Sequence, residues 1–145
     1  MLICFATEEY SRSHLAHEFM HVIDYRINQV LFDRGRELYD EWGALSPDYA
    51  YDDWLTDEEE EEVWEYFVSS YARTNQDEDR AETFQWLFDS EAPMEENLWY
   101  RDYPKVQEKV AYLVRTIREV FPSAAAADTL WWERWLPGGP GTRAE

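Results

Sequence analysis

Apolar side chains recur at three- and four-residue steps along a stretch that begins near Ser13 and ends at Gly35. This is the period of an α-helix with one buried face, and Ser11 or Ser13 can cap its start. The apolar positions are Leu15, Phe19, Val22, Ile23, Ile27, Val30 and Leu31. The pattern predicts one long helix near the beginning of the chain.

Four further helices are predicted, and most are introduced by a capping residue or a proline. They start at Thr56 (a capping box with Glu59), at Asn75, near Asp102 or Pro104, and at Ala124, and they end near Val68, Phe88, Pro122 and Leu136. The side chains expected inside them are Val63, Trp64, Phe67, Val68, Ala81, Phe84, Leu87, Phe88, Val106, Val110, Leu113, Val114, Ile117, Trp131, Trp132 and Trp135. The segment 69–74 is predicted to be an irregular connector.

Only Leu2 to Ala6 is a candidate strand, so the sequence predicts a mainly α fold with at most one short N-terminal strand. The chain has 145 residues, a length typical of one domain with its own core. We expect a single domain over residues 1–136. Residues 137–145 are rich in glycine and proline and are expected to form a disordered tail.

The chain carries 32 acidic and 13 basic residues, a formal net charge of −19. Such a charge repels nucleic acid and anionic membrane surfaces but attracts basic peptides and divalent cations. A merely solubilising surface, or an acidic inhibitor that imitates nucleic acid, would have the same composition. Neither a signal peptide nor a membrane-spanning stretch is evident, so we expect a cytoplasmic protein, with secretion by another route left open.

His17, Glu18 and His21 form a His-Glu-x-x-His motif inside the first predicted helix. The four-residue spacing places both imidazoles on one face, where they can bind one zinc ion, and Glu18 lies where it can act on a water at the metal. The alternative is a pair of solvated or core histidines. Cys4 is the only cysteine, so any further metal ligand must be a histidine or a carboxylate.

A catalytic zinc site needs a third protein ligand, and the best candidates are two carboxylates on a later helix. Glu78 and Glu82 stand one turn apart on the helix that Asn75 is predicted to cap. Glu78 could instead serve that cap, as an acid in the first helical turn. If the third ligand lies here, the protein binds one zinc ion per chain.

Two segments together resemble the catalytic domain of the anthrax lethal factor type, a group of gluzincin metallopeptidases that includes the Pro-Pro endopeptidases. The zincin motif alone is shared by many unrelated families, and the second segment is the more specific. The matching residues are His17-Glu18-Phe19-x-His21-x-Ile23-Asp24 and Tyr71-x-Arg73-Thr74-Asn75-x-x-Glu78-x-x-Ala81-Glu82-x-Phe84.

The resemblance implies a zincin-like helical domain that hydrolyses peptide bonds, with Glu18 as the general base. It makes Glu78 the third ligand, assigns to Tyr71 a hydrogen bond to the oxyanion, and lets Glu82 orient an imidazole. Without the resemblance, Tyr71 could be a core aromatic and Glu82 a solvated helix residue. Asp24 could either support His21 or be a surface acid.

The chain departs from the family pattern in two places. Met20 stands where a glycine is usual, which could narrow the site. The family also has a sheet before the zinc helix whose edge strand binds substrate, whereas only sixteen residues precede His17 here. A catalytically weak or inactive zinc-stabilised interaction domain is therefore the alternative to an endopeptidase, and the missing sheet could come from a longer chain or an oligomer.

Overall fold

The computed structural model describes residues 12–46, 49, 65–88, 103–130 and 133. Within these ranges 74% of the residues are helical and none forms a strand, which confirms the mainly α prediction. The α-helices are α1 (Arg12–Asp33), α2 (Leu38–Gly43), α3 (Gln76–Phe88), α4 (Pro104–Val120) and α5 (Pro122–Ala125), and a 3-10 turn spans Tyr71–Thr74.

α1 packs along α3, and α4 lies against both, so these three helices enclose one core. Large side chains without solvent exposure include Trp42, Phe67, Met20 and Ile27. Each of the three helices contributes residues to a single buried apolar cluster. This packing fixes α1 relative to α3, the two helices that carry the predicted metal ligands.

The predicted starts of α3 and α4 are confirmed. The side-chain oxygen of Asn75 accepts hydrogen bonds from the backbone amides of Asp77 and Glu78, both at 2.9 Å. Pro104 is the first residue of α4, where its missing amide hydrogen costs nothing, and α4 ends before Pro122. Most of the predicted inward residues of these helices are buried: Ala81, Phe84, Leu87, Val106, Val110, Leu113, Val114 and Ile117.

In α1 the buried face agrees only in part with the apolar pattern in the sequence: Ile27 and Leu31 are buried as predicted, and Ile23 and Val30 are partly buried against the core. The buried stripe is Ala16, Met20, Asp24, Ile27 and Leu31, while Phe19 and Val22 are each 51% exposed. The stripe includes Asp24, a charged residue, so apolar periodicity identifies only part of this face.

The short helix α2 was not predicted, and its last residue, Gly43, lies close to the start of α3. A β-carbon on Gly43 would lie 2.7 Å from the side-chain nitrogen of Gln76, so a larger residue here would require the end of that side chain to move. The helix predicted from Thr56 does not extend through Val68, because residues 65–70 form turns. Phe67 and Val68 are nevertheless buried, as predicted. The connector 69–74 also contains the 3-10 turn.

The helix predicted from Ala124 to Leu136 is wrong in its extent, because α5 ends at Ala125 and residues 126–130 are not helical. The Arg118 side chain explains the end: its guanidinium donates to the carbonyl oxygens of Ala124 and Ala127, at 2.8 and 2.9 Å. It also pairs with Glu133, whose carboxylate accepts a hydrogen bond from the Leu130 amide. These contacts satisfy backbone groups that a longer helix would have paired.

Several predictions lie outside the described residues. They are the strand 2–6, the caps Ser11, Thr56 and Glu59, the buried positions Val63 and Trp64, the burial of the Phe88 side chain, the three tryptophans Trp131, Trp132 and Trp135, and the tail 137–145. The single-domain assignment stays a prediction. Among the helices described, none has a stretch long and apolar enough to span a membrane.

Candidate metal centre

His17 and His21 lie one turn apart on α1, on the side that faces α3. Their rings meet edge to face with centroids 5.0 Å apart. The His17 side chain is 12% exposed and that of His21 is 33% exposed. The motif therefore sits in a partly enclosed site and not on an open helix surface.

Glu78 reaches this site from the first turn of α3, where Asn75 fixes the backbone. Its Oε2 atom lies 3.1 Å from His17 Nε2 and 3.7 Å from His21 Nε2. The three side chains offer one ligand atom each, all within 4.8 Å of one another. The structure thus brings together the two histidines and the carboxylate that the sequence predicts as ligands.

The environment of Glu78 Oε2 fits a bound cation. This oxygen is buried and accepts no hydrogen bond, which is costly for a carboxylate. Ligand atoms on a tetrahedral zinc ion stand about 3.3 Å apart, given zinc distances of about 2.0 Å, and the two contacts of Oε2 bracket that value. A cation between the two Nε2 atoms and Oε2 would satisfy all three.

The opposite side of the His17 ring faces a second carboxylate. His17 Nδ1 lies 3.0 Å from Glu82 Oε1, and the two atoms form an ion-pair contact without a hydrogen bond. A proton on Nδ1 would be stabilised by this carboxylate and would leave the Nε2 lone pair free for a metal. Glu82 is therefore not a solvated helix residue, because its side chain is 13% exposed and lies against His17.

Ser69 is a site residue that the sequence did not reveal. Its hydroxyl donates to Glu82 Oε2 at 2.7 Å and accepts from the Ala72 amide at 3.0 Å. The hydroxyl thereby ties the turn that carries Tyr71 to the carboxylate beside His17. A serine in a predicted connector has no distinguishing pattern, so nothing in the sequence could have singled it out.

Glu18 and Tyr71, the two residues with predicted catalytic roles, are both exposed. Glu18 is exposed on α1 next to His17. Tyr71 begins the 3-10 turn, is 53% exposed, and its ring centroid is 6.2 Å from that of His17. Tyr71 is therefore not a core aromatic but an accessible side chain beside a candidate ligand.

Asp24 is not a surface acid, since it is 7% exposed, and its main partner is Arg80. The guanidinium Nε of Arg80 donates to Asp24 Oδ2 at 2.5 Å. Burial raises the pKa of Asp24 to about 6, although Arg80 opposes this shift by favouring the charged form. Asp24 thus holds a buried arginine next to His21, which the sequence did not predict.

Met20, which stands where the family pattern has glycine, has no solvent exposure and belongs to the apolar core. The thioether fills space between the helices there, which suits its flexible side chain.

Replacing Glu78 with glutamine is expected to weaken zinc binding more than about 100-fold, because it removes a charged ligand and not merely a group that orients one. Zinc per chain is measured by mass spectrometry after dialysis against a zinc buffer. Glu108→Gln is the matched control, since Glu108 is exposed on α4 and its loss changes the net charge equally. Equal zinc contents in the two variants would contradict the assignment of Glu78.

No family model matches the chain, and neither a curated protein nor a solved structure is significantly similar to it. The assignment of the metal centre therefore depends on the motif and on the geometry of the described residues.

Proposed function

We propose that the protein is a zinc-dependent endopeptidase of the gluzincin type. The observation that carries the proposal is the buried Glu78 Oε2, which has no hydrogen-bond donor and faces both imidazoles of a His-Glu-x-x-His motif. Two histidines and one glutamate form a ligand set of catalytic zinc sites, which leave a further position open. A purely structural zinc site would take a fourth protein ligand, and among the residues that the structure describes none joins these three.

The residues around the ligands support the roles expected in peptide hydrolysis. When bound, zinc supplies a Lewis acid and makes a strong nucleophile available near neutral pH. Glu18 accepts a proton from the attacking water and passes it to the leaving amine. Tyr71 donates a hydrogen bond to the oxyanion that develops on the scissile carbonyl. The exposure of both residues gives a substrate access to them.

The residues that orient the ligands also support the proposal. Glu82 stands behind His17 and is itself held by the Ser69 hydroxyl at 2.7 Å. Such a chain of carboxylate and imidazole is common behind zinc ligands, where it fixes the ring and increases its basicity.

The test is cleavage of a mixed peptide library by the full chain, read by mass spectrometry. We expect new internal cleavage products that disappear after zinc is removed with a chelator and return when one equivalent of zinc is added. The zinc-depleted protein serves as its own control. Products that persist at the same rate without zinc, or their absence from the zinc-loaded protein, would contradict the proposal.

A further inference from the structure

A polar cleft of about 340 Å³ opens next to the candidate metal centre, between α1, the start of α2 and the first turn of α3. It is lined by His21, Asp24, Tyr25, Tyr39, Asp77 and Arg80, among others. His21 belongs to both the cleft and the metal centre, so a molecule bound at the metal can extend into the cleft. None of the roles proposed above uses this space.

The charged side chains that line the cleft are two carboxylates paired with one buried guanidinium group. The Arg80 side chain is 4% exposed and donates to Asp24 Oδ2 and to Asp77 Oδ1, each at 2.5 Å. Two carboxylates therefore face one cation, and the described lining residues leave one negative charge in excess. Asp24 Oδ1 adds a buried carboxylate oxygen that accepts no hydrogen bond.

The rim of the cleft is aromatic. Tyr25 and Tyr39 are 70% and 71% exposed, which is high for residues with so much apolar surface. Aromatic faces attract ammonium and guanidinium groups, and such groups also carry the donors that Asp24 and Asp77 lack.

We propose that this cleft is a specificity pocket for a lysine or arginine side chain of the peptide substrate. The inference rests on the proposed peptidase function and adds to it the substrate class. An anionic side chain fits less well, because two carboxylates and one guanidinium line the cleft, although Arg80 Nη1 is a buried donor without a hydrogen-bond partner. The net charge of −19 would also draw basic peptides toward the site.

The test compares two series of acetylated octapeptide amides, in which one lysine or one norleucine is moved through an alanine background. Binding is measured by calorimetry with zinc-loaded Glu18→Gln protein, which keeps the ligands while slowing turnover. At one position we expect lysine to bind about 10-fold more tightly than norleucine, because it gains charged hydrogen bonds. Equal binding of both series at every position would overturn the pocket.

The Asp77→Asn variant tests whether the cleft is the cause of the expected preference for lysine. Asparagine keeps an oxygen for Arg80 but removes the exposed charge, since the Asp77 side chain is 73% exposed. We expect it to reduce the lysine preference about 2- to 5-fold, as is typical for an exposed ion pair. The matched control is Asp40→Asn on α2, an exposed residue that does not line the cleft. Equal losses in both variants would show general attraction by the acidic surface and would overturn the pocket.

The two proposals can fail separately. Lysine-selective binding that depends on Asp77, without any cleavage by the wild-type chain, would support the pocket and contradict the peptidase. Cleavage of lysine and norleucine peptides at equal rates would support the peptidase and contradict the pocket.

Discussion

Glu18→Gln is expected to lower the rate of peptide cleavage about 100- to 10,000-fold, the contribution typical of a general acid and base. Glutamine has nearly the same shape as glutamate, but it cannot accept a proton at neutral pH. Glu18 is exposed and is not one of the three candidate ligands, so the zinc content should stay at about one ion per chain. The measurements are initial cleavage rates and metal content on the same preparation.

The matched control for this change is Glu37→Gln, an exposed residue just before α2. It removes the same charge and should leave the rate unchanged. Equal cleavage by Glu18→Gln and the wild type would rule out Glu18 as the base. If the wild type binds zinc but cleaves no peptide, the alternative of a zinc-stabilised interaction domain is the one to pursue.

Lys109→Met is expected to lower the free energy of unfolding by about 3–5 kcal/mol, the cost of leaving one member of a buried ion pair without its partner. Lys109 and Asp79 have no exposed side-chain surface, and their charged atoms are 2.7 Å apart. Burial lowers the pKa of Lys109 and raises the pKa of Asp79, so each depends on the other to stay charged. Urea unfolding at a fixed zinc concentration measures the change.

The Asp79 carboxylate also accepts hydrogen bonds from Trp42 and Tyr49, and Lys109 donates to the backbone oxygen of Tyr66. Loss of Lys109 therefore disturbs contacts among α2, α3, α4 and the turns before Tyr71. Lys105→Met is the control, because Lys105 is half-exposed on the same helix and its pair with Glu108 is at the surface. If Lys109→Met lowers the free energy of unfolding by as little as Lys105→Met does, the buried pair is not needed for stability.

The helices that the sequence predicts well are those with local start and stop signals. Asn75 and Pro104 act within one helical turn, so their effects can be read from neighbouring residues. The end of α5 could not be predicted in this way. It depends on Arg118, which reaches carbonyl oxygens beyond the end of its own helix.

The candidate site likewise contains parts that follow from local sequence signals and parts that depend on contacts between distant residues. The spacing of His17 and His21 is a local pattern, and the resemblance points to Glu78 and Glu82 on a second helix. Arg80 was missed because it pairs with Asp24 across 56 positions of sequence, and such a contact leaves no local signature. An arginine in a charged helix is ordinarily expected to face solvent.

The start of α3 orients three charged side chains toward three different parts of the molecule. Glu78, Asp79 and Arg80 are consecutive, and successive residues of a helix point about 100° apart around its axis. One therefore faces the two imidazoles, the next faces Lys109 in the core, and the third faces Asp24. A slip of one residue would misdirect all three charges at once. The hydrogen bonds from Asp77 and Glu78 to Asn75 thus set the phase of the metal centre, the core and the cleft together.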